Sequence, residues 1–255
     1  MNAKEFFMEY ANGYDLSDGM ISLKVIHTMA VAEVMEELTA MLGLSERIRE
    51  IAEICAVFHD IGRFEQVTRY HTFLDHLSRD HADLGCEVLQ QEKFLEELSL
   101  SEREKEQVII AIRNHNKYAI EAGLDEETLL LCKLIRDADK CDIFRVFACE
   151  NMVDTMGETY EQVQQESITK EVYDCIFQHR SVPKTIRRTG LDKWIGFLGF
   201  FFDIYFNESL QILQEKKYYL QPFMRAEFSS AETRQRVKDI LEEVDTYIHG
   251  RLIVL

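Results

Sequence analysis

The chain has 255 residues, 46% of them hydrophobic, enough to bury a substantial core and too apolar to read as disordered. Its 29 Lys and Arg against 46 Asp and Glu leave a formal charge of -17. That balance disfavours broad electrostatic capture of nucleic acid, which needs clustered cations to neutralise phosphates, so an anionic substrate has to be met by local cations or by metal.

With only 2 Pro and 11 Gly, the composition favours helices. Residues 1–14 read as a short helix or arm whose Phe6, Phe7 and Tyr10 cover the core. Residues 20–42 read as a long helix with Asp18 as cap and Gly43 as terminator; Val25, Met29, Ala32 and Met35 form its stripe, and His27 lies near it. Ser45 caps a helix from Glu46 to about Asp60, with Ile48, Ile51, Ala52, Cys55 and Phe58 at spacings of three and four, and Gly62 is placed to end it. Residues 66–80 lack a clean period and read as a long loop or irregular helix carrying Arg69, His71, His76 and Arg79. Asp80 caps a helix starting at His81, and Ser101-Glu102-Arg103-Glu104 is a capping box for a helix ending near His115. Residues 126–149 form another helix, with Asp139 about midway.

Composition changes after Asn151. A polar stretch, a helix over 169–179 and a basic turn over 181–189 with Pro183, Lys184, Arg187 and Arg188 come first. An aromatic helix over 191–214 follows, too interrupted by Asp192, Lys193, Asp203 and Glu208 to span a membrane, and its Trp194 to Tyr205 stripe reads as core rather than as a base-stacking platform. Ser229-Ser230-Ala231-Glu232 opens a last amphipathic helix. The prediction is one all-α domain over 1–255, with a core at 20–150 and a helical C-terminal layer at 151–255 that covers the site. The six cysteines, none in a CxxC pair, read as buried thiols of a reducing compartment. With no basic n-region before an apolar h-region and no apolar run of about 18 residues, the expectation is a cytoplasmic protein without membrane contact.

The chemistry centres on Val57-Phe58-His59-Asp60-Ile61-Gly62-Arg63. Imidazole beside carboxylate suits Mn, Fe, Ni, Co or Zn better than Ca, with Mg as a further alternative. One pair cannot complete a coordination shell. His27 and Asp139, each near the apolar side of another predicted helix, complete a set of two imidazoles and two carboxylates; alone, His27 fits a core histidine equally well and Asp139 fits a solvated carboxylate.

The ordered pattern of Lys24-Val25-Ile26-His27, Phe58-His59-Asp60-Ile61-Gly62-Arg63 and Ile135-Arg136-Asp137-Ala138-Asp139 resembles the HD superfamily of metal-dependent phosphohydrolases. The resemblance covers about residues 20–150 and implies an HD-domain helical bundle. It assigns His27, His59, Asp60 and Asp139 to a first ion, and Asp60 as a bridge with His81 and His115 to a second. Adjacent histidines, found near this point in dinuclear members of the HD-GYP type, are replaced here by Asn114-His115-Asn116, and no GYP-like loop follows, so a cyclic-dinucleotide phosphodiesterase of that type is disfavoured.

A divalent ion lowers the pKa of bound water from about 15.7 toward 7 and neutralises a phosphoryl oxygen, so no Ser or Cys nucleophile is needed. Asp60 would hold metal and orient the attacking water. Arg63 would clamp phosphate, its bland alternative being an ion pair with Glu65. His76, Arg79, Lys184 and Arg187 are further candidates for substrate binding. The expected activity is hydrolysis of a small phosphate ester, a nucleotide among them, by metal-bound hydroxide. The alternative is a metal- and nucleotide-binding regulatory module without turnover. The sequence leaves the oligomeric state open.

Overall fold

The computed structural model describes residues 2–153 and 157–253, and every regular element among them is a helix, as the periodicities predict. The chain divides into two compact units, Met1–Asp142 and Ile143–Leu255. The division falls inside a continuous helix.

The first unit contains α1 (Ala3–Ala11), α2 (Gly19–Met41), α3 (Glu46–Phe58), α4 (Gly62–Tyr70), α5 (His81–Glu92), α6 (Phe94–Glu97), α7 (Glu102–Asn114) and most of α8 (Glu126–Cys149). The predicted caps form. Asp18, Ser45 and Asp80 each accept from backbone amides of the first turns of α2, α3 and α5, and Ser101 makes a reciprocal capping box with Glu104. Gly43 takes a left-handed conformation (φ 61°) just past α2. Helix α3 packs against α1, α2 and α7. Ile51, Ala52, Ile54, Cys55, Ala56, Val57 and Phe58 are all buried in consequence. Each large side chain among them contributes about 1.5–3 kcal/mol of apolar burial, so the end of α3 that carries His59 is firmly anchored. Phe7 of α1 closes one side, edge-on to Phe64 with ring centroids 5.7 Å apart.

Two local readings are corrected. Residues 66–70 belong to α4, while residues 71–80 are the irregular segment expected, with a 3-10 turn at Asp75–Leu77. The period is hard to see because the buried face of α4 is short and includes a polar residue, Gln66, beside Phe64 and Val67. Gly62 does not terminate α3; it opens α4. Its role is close approach: a Cβ there would lie 2.3 Å from the His81 carbonyl oxygen and 2.4 Å from the Gly85 nitrogen. Only glycine lets α4 and α5 meet at this point, and that contact sets His81 beside Asp60.

The second unit holds the rest of α8, then α9 (Tyr160–Val163), α10 (Lys170–Phe177), α11 (Gly190–Leu198), α12 (Asn207–Lys216), α13 (Gln221–Arg225) and α14 (Ala231–Ile253), with 3-10 turns at Lys184–Ile186, Gly199–Asp203 and Tyr218–Leu220. Trp194 is fully buried among Phe147, Tyr160 and Phe223, and Phe201 is fully buried too, so these two members of the aromatic stripe are core, while Phe197, Phe200 and Tyr205 are partly exposed. The single helix expected over 191–214 is in fact α11, a 3-10 turn and α12, with extended backbone at Ile204 between them. Gly199 starts the break: its Cβ position lies only 3.1 Å from the Val182 nitrogen, and the turn then sends Phe201 onto Phe144 and Phe202 onto Tyr247. Helix α14 is capped by Ser230, whose hydroxyl accepts from Thr233, while Ser229 bonds the Gln164 carbonyl instead of forming the expected box with Glu232.

Overpacking at the α4–α5 contact should cost about 1–3 kcal/mol. Gly62→Ala is therefore expected to lower the unfolding free energy by that amount in urea denaturation. Gly19→Ala, whose Cβ meets nothing within 4 Å, should leave it unchanged or slightly raised. Equal stability of the two variants would contradict the close approach.

Candidate metal centre

Six side chains converge within the first unit. His27 comes from α2; His59 is the C-cap of α3 and Asp60 follows it; His81 is the first residue of α5; His115 is the C-cap of α7; Asp139 comes from α8. They form two groups, His27 with His59 and Asp139, and Asp60 with His81 and His115, each with its donor atoms within 4.8 Å of one another. Asp60 faces both. Its Oδ2 lies 3.6 and 3.7 Å from the Nε2 atoms of His27 and His59, and its Oδ1 lies 3.4 and 3.8 Å from those of His81 and His115. Asp139 Oδ1 is 3.1 Å from His27 Nε2 and 3.7 Å from His59 Nε2.

The tautomers test whether this set fits a cation. His59 Nδ1 lies 2.7 Å from the Ala56 carbonyl and His115 Nδ1 lies 2.6 Å from that of Ile112. Carbonyl oxygens only accept, so both Nδ1 atoms carry the hydrogen. His27 Nδ1 meets the Asp142 carboxylate at 2.7 Å, and His81 Nδ1 meets Asp75 at 2.9 Å. All four imidazoles therefore aim Nε2 inward, the orientation that carboxylate and carbonyl partners impose on metal-binding histidines. Nε2 of His27 and His59 are 3.3 Å apart, and those of His81 and His115 are 3.1 Å apart. Lone pairs at such distances repel unless a proton or cation lies between them. These spacings also fall within the range of about 2.8–3.4 Å spanned by the edges of octahedral and tetrahedral shells with metal–nitrogen distances of about 2.0–2.1 Å. The donor set fits a divalent transition metal in each group.

The electrostatics agree. Burial opposes ionisation of Asp60, but Lys24, His59, His115 and Arg63 outweigh it and hold the carboxyl well below the usual range. Asp139 is held low in the same way, its burial outweighed by His27 and His59. Burial pushes His81 down to about 3, with Arg63 adding to the effect against Asp75, so its Nε2 lone pair is available at neutral pH. For His27, burial and Lys24 favour the neutral ring, yet Asp139 and Asp142 prevail and raise its pKa.

The surroundings place the remaining candidates. Arg63 is mostly buried. Nη1 donates to the Gln66 side chain at 2.6 Å and the Phe73 carbonyl at 2.7 Å, Nε is 3.4 Å from Asp60 Oδ1, and Nη2 makes no hydrogen bond to the described residues. The ion pair with Glu65 does not form; Glu65 pairs with Arg69 and accepts from Tyr14. His76 is exposed on the 3-10 turn, and Arg79 is spent on a two-pronged pair with Glu87. In the second unit Lys184 is exposed, whereas Arg187 donates to the Val182 carbonyl at 2.6 Å and packs against Gly196; burial lowers its pKa to about 10 despite Asp192.

Sequence reasoning missed three supporting residues. Lys24 places Nζ 2.7 Å from Asp60 Oδ2, and Asp142 and Asp75 orient His27 and His81. Lys24 and Asp142 stand one helical turn from His27 and Asp139, a spacing that puts them on the same faces. Asp75 carries no such signal. Asn114 and Asn116, the departures beside His115, shape its turn: Asn114 bonds the Ile110 carbonyl and the Glu121 amide, and Asn116 bonds Asp80. Arg136 donates to the Asn114 and Lys117 carbonyls, fixing the same turn from α8.

A family model described as HD domain matches residues 25–143. The domain over those residues belongs to the HD superfamily. That superfamily is one of metal-dependent phosphohydrolases, and the match includes all six converging residues. No curated protein and no solved structure gave a significant match to the chain.

The metal-free protein should be stabilised by added Mn²⁺, by about 2.7 kcal/mol when the free ion is at 100 times its Kd. The expected result is a rise in Tm on titration that Asp60→Ala abolishes. No rise in the wild type would contradict the metal reading.

Proposed function

We propose that this HD protein hydrolyses a small phosphate ester, with nucleotides the first substrates to test. The observation that carries this reading is the pairing of inward-facing metal donors with two cations on opposite oxygens of one carboxylate: Lys24 at Oδ2 and Arg63 at Oδ1 of Asp60. Both cations also lie over the Phe73 ring, 5.2 and 5.5 Å from its centroid. Metal donors alone describe a storage or structural site. Cations beside them, in a chain of charge -17, describe a place for an anion.

The residues that would hold metal are His27, His59, Asp60 and Asp139 for one ion, and Asp60, His81 and His115 for the other. A bound divalent ion of this kind supplies a nucleophile near neutral pH and offsets phosphoryl charge. The protein groups then have separable tasks. Asp60 spans both groups and orients the attacking water. Arg63, held by the Gln66 side chain and the Phe73 carbonyl, directs Nη2 to a phosphate oxygen through a charge-assisted hydrogen bond. Lys24 adds a second positive charge on the other side of Asp60.

Phosphate release from a panel of nucleotides and small phosphomonoesters is expected to require Mn²⁺ or a related ion and to vanish in Asp60→Ala. Arg63→Ala should lower kcat/KM by about 10- to 100-fold, the loss of one charged hydrogen bond of about 1.5–3 kcal/mol. Tight binding of metal and nucleotide with no turnover of any substrate would instead identify a regulatory module.

A further inference from the structure

The segment between α4 and α5 contains one carboxylate in contact with both halves of this machinery. Asp75, on the 3-10 turn, lies 2.9 Å (Oδ1) and 3.0 Å (Oδ2) from His81 Nδ1. The same Oδ1 accepts from Gln66 Nε2 at 2.9 Å and from Arg63 Nη1 at 3.3 Å. On the far side, His81 Nε2 and Arg63 Nε both face Asp60 Oδ1, each at 3.4 Å. The four side chains close a ring of alternating charge and dipole: Asp60, His81, Asp75, Arg63. Burial opposes the charge on Asp75, yet His81, Arg63 and Gln66 hold its carboxyl well below the usual range.

We propose that Asp75 is a positioning residue that couples the second ion to the phosphate-contacting Arg63, an inference that rests on the two-ion reading of the centre. Hydrogen-bonded to Nδ1, the carboxylate fixes the His81 tautomer and raises the basicity of Nε2. Arg63 Nε already faces Asp60 Oδ1, so a cation held there would compete with it for that oxygen. Asp75, Gln66 and the Phe73 carbonyl then keep the guanidinium in place. Loading of the second position and presentation of Arg63 thus depend on one side chain outside the ligand set.

A merely structural role for Asp75, tethering its loop, makes a different prediction. Ser78 tethers the same segment through Gln66 Nε2 (2.8 Å) and the Leu74 carbonyl (3.0 Å), and no hydrogen bond joins it to His81. Calorimetric titration of metal-free protein with Mn²⁺ alone separates the two. The wild type is expected to take two ions. Asp75→Ala should bind the first with unchanged affinity and the second about 10- to 100-fold more weakly. Asp75→Asn, which keeps an acceptor but not the charge, should fall between, and Ser78→Ala should match the wild type. The proposal is overturned by a second-ion affinity in Asp75→Ala within twofold of the wild type, by equal weakening of both ions, by the same loss in Ser78→Ala, or by a wild type that takes a single ion. The titration contains no substrate, so a protein that binds two ions as described and hydrolyses nothing would lose the hydrolase reading and keep this one.

Discussion

Four imidazole nitrogens with inward lone pairs, and two carboxylates between them, constrain everything else in the first unit. Burying such a set is costly without compensating charge. Part of the compensation is built in, through Lys24 and Arg63 on either side of Asp60. The rest requires protons or cations in the two groups. The two groups differ in their surroundings: Asp139 and Asp142 raise the pKa of His27, whereas burial and Arg63 lower that of His81.

The fold builds this arrangement with a local device used twice. A helix leaves its last carbonyls without intrahelical partners. His59 and His115 each sit at a C-cap and donate Nδ1–H to the carbonyl three residues back, Ala56 and Ile112. The helix end gains a partner for an orphan acceptor, and the imidazole gains a fixed tautomer. His81 enters from the opposite polarity, at the first residue of α5, and it reaches Asp60 only because Gly62 lets α4 approach that helix turn. Helix termini, rather than helix faces, thus supply three of the four imidazoles.

The convergence was legible because its parts are chemically unusual where they stand. A histidine followed by an aspartate at the end of an apolar helix, and histidines at other helix boundaries, are hard to explain as surface. Caps were legible for the same local reason. What escaped was chemistry delegated to ordinary residues. Asp75, Lys24 and Asp142 are of types expected on any surface, and only the packing of distant segments shows that they face imidazoles or Asp60. The α4 helix escaped because its buried face is short and partly polar. The break near Ile204 escaped because the aromatic period continues through it.

In the proposed two-ion centre, Asp60 lies between the ions. Anomalous X-ray diffraction from crystals of protein reconstituted with Mn²⁺ tests it most directly. Two peaks are predicted, one bounded by His27, His59, Asp60 and Asp139, the other by Asp60, His81 and His115. A single peak at full occupancy, or two peaks that share no ligand, would contradict it.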